Sequence, residues 1–406
     1  MINPLSLLVL ALPVALAAKP EDSLTLRSGG GLTTFDLQPW GGGFVVALEP
    51  HEDKMVLVRM APDGTLTGVV KPKQPHFYDL TCHGGHCLAS AGYAGSGQTR
   101  DLALVDPDRG TFTVLAPGKS MPRNVLWTGR YLEYTKPRSP TQVALGPVRG
   151  APPDWYAFTA SPDWVVVEPS PKLATVPEEG WPSMGACTQA RYDGPGESCA
   201  TAGAHGIVVA WTRGGSLAPA AGKPGTYDVG EDGSALFFVE TRDRDGGQKQ
   251  AWLFAPSPSR GSGSQGGNQY SLDWGVRGAV ATEEGFAVLA SGPPGSQSGR
   301  AAFISPGRAP TVVQLDGSPI GACPLPGGRT AVYVVNHGGN PPRYAVFGPD
   351  GQPVTPFAEA TSLGPPVGGE TRFSCSDGTA AWLQIQSIPG PDPWHWEKAV
   401  LTTHHP

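Results

Sequence analysis

The chain has 406 residues and a formal net charge of −6. Its 56 glycines and 44 prolines exclude an architecture of long helices, because proline removes a backbone donor and clashes with the preceding helical turn. The 29 Lys and Arg residues are scattered, which argues against a nucleic-acid-binding protein, since phosphate contacts need clustered positive charge. The 11 Trp and 13 Phe lie in or beside apolar runs, which favours a folded, loop-rich protein over a disordered one.

The N-terminal segment has the pattern of a signal peptide. Residues 5–18 form an apolar run, and residues 15–17 fit the small-x-small cleavage pattern. Pro13 interrupts the run, which is short for a membrane span. We therefore predict a signal peptide over residues 1–17, a mature chain over 18–406, no transmembrane segment, and a secreted, periplasmic or cell-envelope location. No Lys or Arg precedes the run, so an uncleaved anchor or a disordered tail is the alternative.

The stretch Gly41–Val70 predicts a three-strand antiparallel meander. Its apolar runs are Phe44–Leu48, Met55–Met60 and Thr65–Val70, separated by polar or turn residues. The turn at Pro62–Gly64 contains Asp-Gly, a strong hairpin signal because glycine accepts the positive φ of a primed turn.

Looser copies of this pattern recur to the C-terminus. The repeat start is a glycine-led turn followed by an apolar strand, and most intervals are about 40–50 residues, the length of a propeller blade. Repeat starts occur at Gly41, His83, Trp127, Ser161, Ala204, Glu231, Thr282, Gly327 and Ser376. The intervals near Ser161 and Glu231 are shorter.

On these repeats and on its Asp-Gly turns, the chain resembles β-propeller-type repeat proteins. The Asp-Gly turns begin at Asp63, Asp232, Asp316, Asp350 and Asp377. The resemblance concerns the fold alone, since neither the Trp-Asp nor the kelch blade signature is present. It implies an all-β, single-domain β-propeller over residues 18–406, with seven blades (eight possible) and the last blade completed by a strand near Leu32–Leu37. One or two β-sandwich domains are the alternative.

The even number of cysteines in a chain expected to be exported predicts disulfides. The six are Cys82, Cys87, Cys187, Cys199, Cys323 and Cys375. Spacing favours two hairpin bridges, Cys82–Cys87 and Cys187–Cys199, and leaves Cys323 and Cys375 at matching places in successive repeats. Six cysteines allow fifteen connectivities, so sequence cannot fix the pairing.

Zinc is the alternative for the first pair. Cys82, His83, His86 and Cys87 offer two thiols and two imidazoles, but the spacing fits no zinc finger and the expected compartment is oxidising. We predict a disulfide hairpin and no metal there.

Other candidate sites are weak. Asp243–Gly247 shares D-x-D-G with calcium loops but lacks the later carboxylate, which favours a solvated turn. Three loops are expected to be mobile: Pro256–Gln269, Ser291–Arg300 and Ile388–Lys398. The last contains Trp394 and Trp396, for which packing against a blade edge is a simpler explanation than stacking on a sugar. His404 and His405 lie close to the chain end, where fraying is expected.

Carboxylates at strand ends could converge in a propeller pore and act as acid and base on a sugar, although solvated turns explain them more simply. They are Glu49, Asp53, Glu133, Glu168 and Glu240. The sequence predicts no catalytic residue, cofactor or metal.

The function that follows is a non-enzymatic binding or scaffold module, exported to the cell envelope or beyond. It would be a monomer that recognises a protein or glycan through propeller loops. A propeller glycosidase or lyase with pore acid and base residues is the alternative.

Overall fold

The computed structural model describes residues 23–28, 32–50, 55–71, 76–83, 86–92, 101–116, 125–127, 132–136, 141–147, 155–160, 165–166, 184–187, 198–214, 217–230, 235–243, 248–254, 275–291, 298–336, 339–366, 371–388 and 395–406. The proposed signal peptide, Asp53, Glu168, residues 244–247, residues 256–269 and Trp394 lie outside these ranges.

The described chain is almost entirely β-strand. The strands in the first half are β1 (Ser23–Ser28), β2 (Leu32–Trp40), β3 (Gly43–Pro50), β4 (Val56–Met60), β5 (Leu66–Val70), β6 (His76–His83), β7 (His86–Gly92), β8 (Asp101–Asp106), β9 (Thr111–Ala116), β10 (Val125–Trp127), β11 (Leu132–Lys136), β12 (Gln142–Pro147), β13 (Trp155–Ala160), β14 (Val165–Val166), β15 (Met184–Cys187) and β16 (Ser198–Gly203).

The strands in the second half are β17 (Gly206–Gly214), β18 (Leu217–Pro219), β19 (Thr226–Val229), β20 (Ala235–Arg242), β21 (Gln248–Phe254), β22 (Gly275–Thr282), β23 (Gly285–Ser291), β24 (Gly299–Ile304), β25 (Thr311–Leu315), β26 (Ser318–Leu325), β27 (Arg329–Val335), β28 (Arg343–Phe347), β29 (Ala358–Glu359), β30 (Thr371–Ser376), β31 (Thr379–Ile388) and β32 (His395–His404). A 3₁₀ turn, Thr361–Leu363, follows β29.

These strands form antiparallel sheets in chain order. Sheets 1 and 2 have the orders β2-β3-β4-β5 and β6-β7-β8-β9, sheet 3 is β10-β11-β14, and sheet 4 is β15-β16-β17-β20-β21-β13-β12-β19-β18. Sheets 5, 6 and 7 are β22-β23-β24-β25, β26-β27-β28-β29 and β30-β31-β32-β1.

The predicted meander is present in sheet 1. Its three runs correspond to β3, β4 and β5, and β2 adds a fourth strand on the other side of β3. Gly64 at the predicted turn has φ 87°, a conformation that glycine adopts without steric cost.

Successive sheets pack face to face. The strand that follows the inner edge of a sheet carries apolar side chains on both of its faces, and each face packs against a different neighbouring sheet. In β3, Phe44 and Val46 pack with β31 and β32 of sheet 7, whereas Val45 and Ala47 pack with sheet 2. In β27 of sheet 6, Val332 packs with sheet 5 and Tyr333 with sheet 7. Apolar residues on both faces explain why the sequence shows continuous runs instead of alternation.

One strand from each sheet lies beside its counterparts in the neighbouring sheets, and we call β2, β6, β10, β16, β22, β26 and β30 the inner strands. Each begins the order of its sheet except β16, which follows β15 in sheet 4. Contacts connect them in the series β6, β2, β30, β26, β22, β16, β10. Side chains also join neighbours here: the Leu80 amide donates to Asp36 Oδ2 (2.9 Å), and the Cys82 amide donates to Gln38 Oε1 (3.4 Å). In the described part of sheet 2, β6 is an edge strand and pairs only with β7. The side chains of Asp36 and Gln38 on β2 therefore accept hydrogen bonds from β6 amides that have no partner in the sheet.

Four-strand meanders stacked through both faces, with their first strands adjacent, form a propeller-like all-β fold. A two-layer sandwich would bury each sheet through one face. Sheets 3 and 4 depart from the four-strand pattern.

The irregular repeat starts have a structural explanation. The run after Glu231 becomes β20, which joins β17 in sheet 4, and the run after Ser161 gives β14, which joins β11 in sheet 3. Neither begins a new sheet.

Three expectations were wrong. The last sheet is completed by Ser23–Ser28, which pairs with β32, while Leu32–Leu37 belongs to sheet 1. The segment Ile388–Lys398 is not wholly a loop, because β32 begins at His395. Ser291 and Arg300 likewise belong to strands β23 and β24.

Within the described chain, no helix is both long and apolar enough to cross a membrane.

Candidate functional site

The turns that join each inner strand to the next strand of its sheet lie at one end of the molecule. We call this surface the inner-turn face. Its described turns are Gly41–Gly42, Ala204–His205, Glu283–Glu284, Pro326–Gly328 and Asp377–Gly378.

Hydrogen bonds join three of these turns across three sheets. His205 Nε2 donates to the backbone oxygen of Glu283 (2.7 Å), and the Gly327 amide donates to Glu283 Oε2 (2.9 Å). Glu283 therefore connects the turn of sheet 5 to those of sheets 4 and 6.

Close packing extends the face to sheets 7 and 1. A β-carbon on Gly378 would lie 3.5 Å from Leu325 Cδ2 at the end of β26, and one on Gly42 would lie 3.9 Å from Asp377 Oδ2. Gly327 (φ 74°) and Gly328 (φ 69°) let the sheet 6 turn fold tightly beside Glu284. The turns thus form a continuous surface held by neighbouring sheets.

This face presents charge to solvent. Glu283, Glu284 and Asp377 are exposed, and His205 is half-buried among them. The Glu283 carboxylate, held by the Gly327 amide, loses less entropy on binding than a free loop side chain would, so the face suits a partner bearing positive charge or hydrogen-bond donors.

The structure places four of the predicted cysteines in two disulfides. Cys82–Cys87 closes the β6–β7 hairpin, so these thiols are not zinc ligands. Cys323–Cys375 connects the inner strands of sheets 6 and 7, with Cα atoms 5.3 Å apart. The last two, Cys187 and Cys199, face each other in the register of β15 and β16, and Cys199 is disulfide-bonded.

Glu240 is enclosed, and Arg242 is its hydrogen-bond donor. Arg242 Nε donates to Glu240 Oε1 (2.6 Å), while Oε2 is buried without a hydrogen-bond partner. Burial raises the pKa of Glu240 to about 7, and the charge and hydrogen bond of Arg242 oppose that rise. A carboxylate with 0% exposure has no access to a substrate, so its place is in the interior of sheet 4.

The structure does not describe the side chains of the other four predicted carboxylates, so it shows no cluster of them. Glu49 and Glu133 lie on β3 and β11, but their side chains, like Asp53 and Glu168, fall outside the described part. Asp243 follows β20 and is half-buried. Among the residues that the structure describes, no group of three or more His, Cys, Asp or Glu is placed to hold a metal ion.

An aromatic cluster lies between sheets 6 and 7, and no sequence pattern predicts it. A hydrogen bond of 2.9 Å joins Tyr333 Oη and His404 Nδ1, and the ring of Tyr344 lies 4.6 Å from that of His404. Phe373 packs 5.1 Å from Tyr333, over Gly321, where a side chain would collide with the ring. Burial, followed by the charge of His405, lowers the pKa of His404. The expected fraying was wrong, because β32 includes His404.

Comparison with known proteins identifies no family. The sequence matches no family model and no curated protein. The chain is similar to a crystal structure of a eukaryotic initiation factor (TM-score 0.31, 10% identity, covering 90% of this chain and 90% of that one). It is also similar to a quinohemoprotein alcohol dehydrogenase from Pseudomonas putida (TM-score 0.34, 10% identity, covering 94% of this chain and 75% of that one).

Proposed function

We propose that the protein is an exported, seven-bladed β-propeller that acts as a non-enzymatic binding or scaffold module. It recognises a protein or glycan through its turns, works as a monomer, and resides in the cell envelope or outside the cell. The signal-like N-terminus and the two disulfides support export, because disulfides persist in oxidising compartments.

The observation that best supports a binding role is that Glu283 connects successive turns through hydrogen bonds. A binding surface assembled from several sheets needs its loops fixed relative to one another, and the contacts to His205 and Gly327 provide this. The exposed carboxylates then supply the recognition chemistry.

Seven blades follow if each sheet is one blade and the series of inner strands closes between β6 and β10. Sheets 5, 6 and 7 illustrate the regular unit of four strands, and β1 supplies the outer strand of the last one. Such closure leaves no open end of the stack at which an apolar sheet face would be exposed.

The test is capture of ligands from a glycan array and from envelope proteins by the wild-type protein and by Glu284→Lys. Glu284 is exposed on the inner-turn face, and the hydrogen bonds that connect the turns are made by Glu283 instead. The variant is therefore expected to fold. Glu359→Lys, an equal charge change at exposed β29, is the control. Loss of a specific ligand in Glu284→Lys alone supports the proposal.

If Glu284→Lys kept every ligand of the wild type, the inner-turn face would not be the binding surface. Cleavage of a bound glycan, seen as new reducing ends, would instead favour the carbohydrate-active enzyme.

A further inference from the structure

Arg277 occupies a β-bulge in an inner strand. Val276 pairs with Ala290 and Gly278 with Leu289, so Arg277 is an extra residue between them on β22. A bulge re-aims a side chain out of the regular alternation. Val276 and Ala279 are buried in the core between sheets 4 and 5, whereas Arg277 is exposed.

The next sheet has the same bulge with a different residue. In β26, Pro319 pairs with Val334 and Gly321 with Tyr333, so Ile320 is the extra residue. The fold therefore accommodates an aliphatic side chain at this position, and the positive charge of Arg277 is not needed to build the bulge.

A buried serine holds the Arg277 guanidinium. Arg277 Nε donates to Ser291 Oγ at 2.7 Å, and Ser291 is 2% exposed at the end of β23. The guanidinium carries five N–H donors, and this bond uses one. The described chain supplies no other hydrogen-bond acceptor, so the terminal nitrogens keep the fork that matches an oxyanion.

Arg277 also differs from the arginines that pair with acids. Ion pairs in the described chain join Arg59 to Asp108, Arg109 to Asp106, Arg242 to Glu240 and Arg343 to Asp316. Among the described residues, no carboxylate forms an ion pair with Arg277, and desolvation by the surrounding protein lowers the pKa of its guanidinium. Arg277 is exposed on β22, beside the inner strands of sheets 4 and 6 that contact this strand.

We propose that Arg277, held by Ser291, binds a small oxyanion, a carboxylate or phosphate group, beside the inner strands. The inference rests on the propeller arrangement of the proposed function, but it concerns a different place. Arg277 lies six positions before Glu283 along β22, about 20 Å at the rise of a β-strand, so it is remote from the inner-turn face.

The test compares melting temperature in sodium acetate, inorganic phosphate and sodium chloride at equal ionic strength. A ligand that binds only the native state raises the melting temperature, and the rise grows with the logarithm of one plus the ratio of ligand concentration to Kd. The wild type is expected to gain more from acetate or phosphate than from chloride, and the more effective anion identifies the carboxylate or phosphate class. In Arg277→Ile, which copies Ile320, the apparent affinity should fall at least tenfold, whereas the exposed-turn control Arg308→Ile should respond like the wild type.

Equal responses in Arg277→Ile and wild type would overturn the proposal, as would a wild type that distinguishes neither anion from chloride. If Arg277→Ile does not fold, Arg277→Lys and Ser291→Ala replace it. Both should weaken binding, the first because it loses the two-nitrogen fork and the second because it frees the guanidinium. Glu284→Lys should leave the anion response unchanged, so failure here is separable from failure of the inner-turn face.

Discussion

Tyr333 Oη lies 2.9 Å from His404 Nδ1, which joins the second strand of sheet 6 to the last strand of sheet 7. The same two sheets share Cys323–Cys375 and the packing of Phe373 over Gly321. A covalent bond, a hydrogen bond and an apolar contact therefore act at one interface between sheets.

His404→Gln should remove a component of acid destabilisation. The folded-state pKa of His404 is lowered, so the folded protein binds fewer protons than the unfolded chain. The stabilising contribution of neutral His404 is fully present above about pH 6.5, the ordinary histidine pKa, and is lost as pH falls through the lower folded-state pKa. Urea unfolding between pH 8 and pH 5 should show a steeper acid loss for wild type than for the variant. Equal profiles would contradict the buried, neutral imidazole.

Glu240→Gln should change the pH profile in the opposite sense. The folded-state pKa of about 7 lies above the ordinary value of 4.5, so the folded protein binds more protons within that window. Wild-type stability should fall as pH rises from 4.5 to 7, by at most about 3 kcal/mol from this group. The variant lacks this loss, so its stability relative to wild type should increase with pH. A pH-independent difference would show that Glu240 is not desolvated.

Gly321→Ala should destabilise the interface between sheets 6 and 7, because the added methyl group collides with the Phe373 ring. Overpacking of this kind costs about 1–3 kcal/mol. The matched control is Gly146→Ala in β12, where an added β-carbon meets no atom within 4 Å. Denaturant midpoints of both variants test this, and a Gly321→Ala midpoint no lower than the control would contradict the tight contact.

Peptide mapping of the non-reduced protein should find Cys187 linked to Cys199. The two residues are opposite each other on adjacent strands, where β-carbons lie about 4.5–5.5 Å apart, and Cys199 is disulfide-bonded. Cys82–Cys87 and Cys323–Cys375 in the same map serve as internal references. A linkage of Cys199 to another cysteine would refute the pairing.

The sequence was sufficient for the strands but not for their partners. Continuous apolar runs such as Phe44–Leu48 predict buried strands, and an Asp-Gly turn predicts a hairpin, because both signals are local. The pairing of β1 with β32, more than 350 residues away, has no local signal. The stretch Leu32–Leu37 has the same local pattern as a closing strand, so the sequence predicts the wrong partner for the last sheet.

The candidate site depended even more on distant contacts. Glu283, one carboxylate in a turn, becomes a connector only when His205 and Gly327 lie beside it. Arg277 stands out only in the register of β22 against β23, and His404 only when Tyr333 packs against the chain end. Spacing along the chain gives none of these relationships.

The pairing of β1 with β32 places both ends of the described chain in one sheet, and the proposed ring depends on it. Hydrogen exchange of the peptide covering Ser23–Ser28 in the native protein measures this pairing directly, because ladder amides exchange only when the strand opens. We expect slow exchange there, comparable to that of β32. Exchange at the rate of an unstructured tail would contradict it.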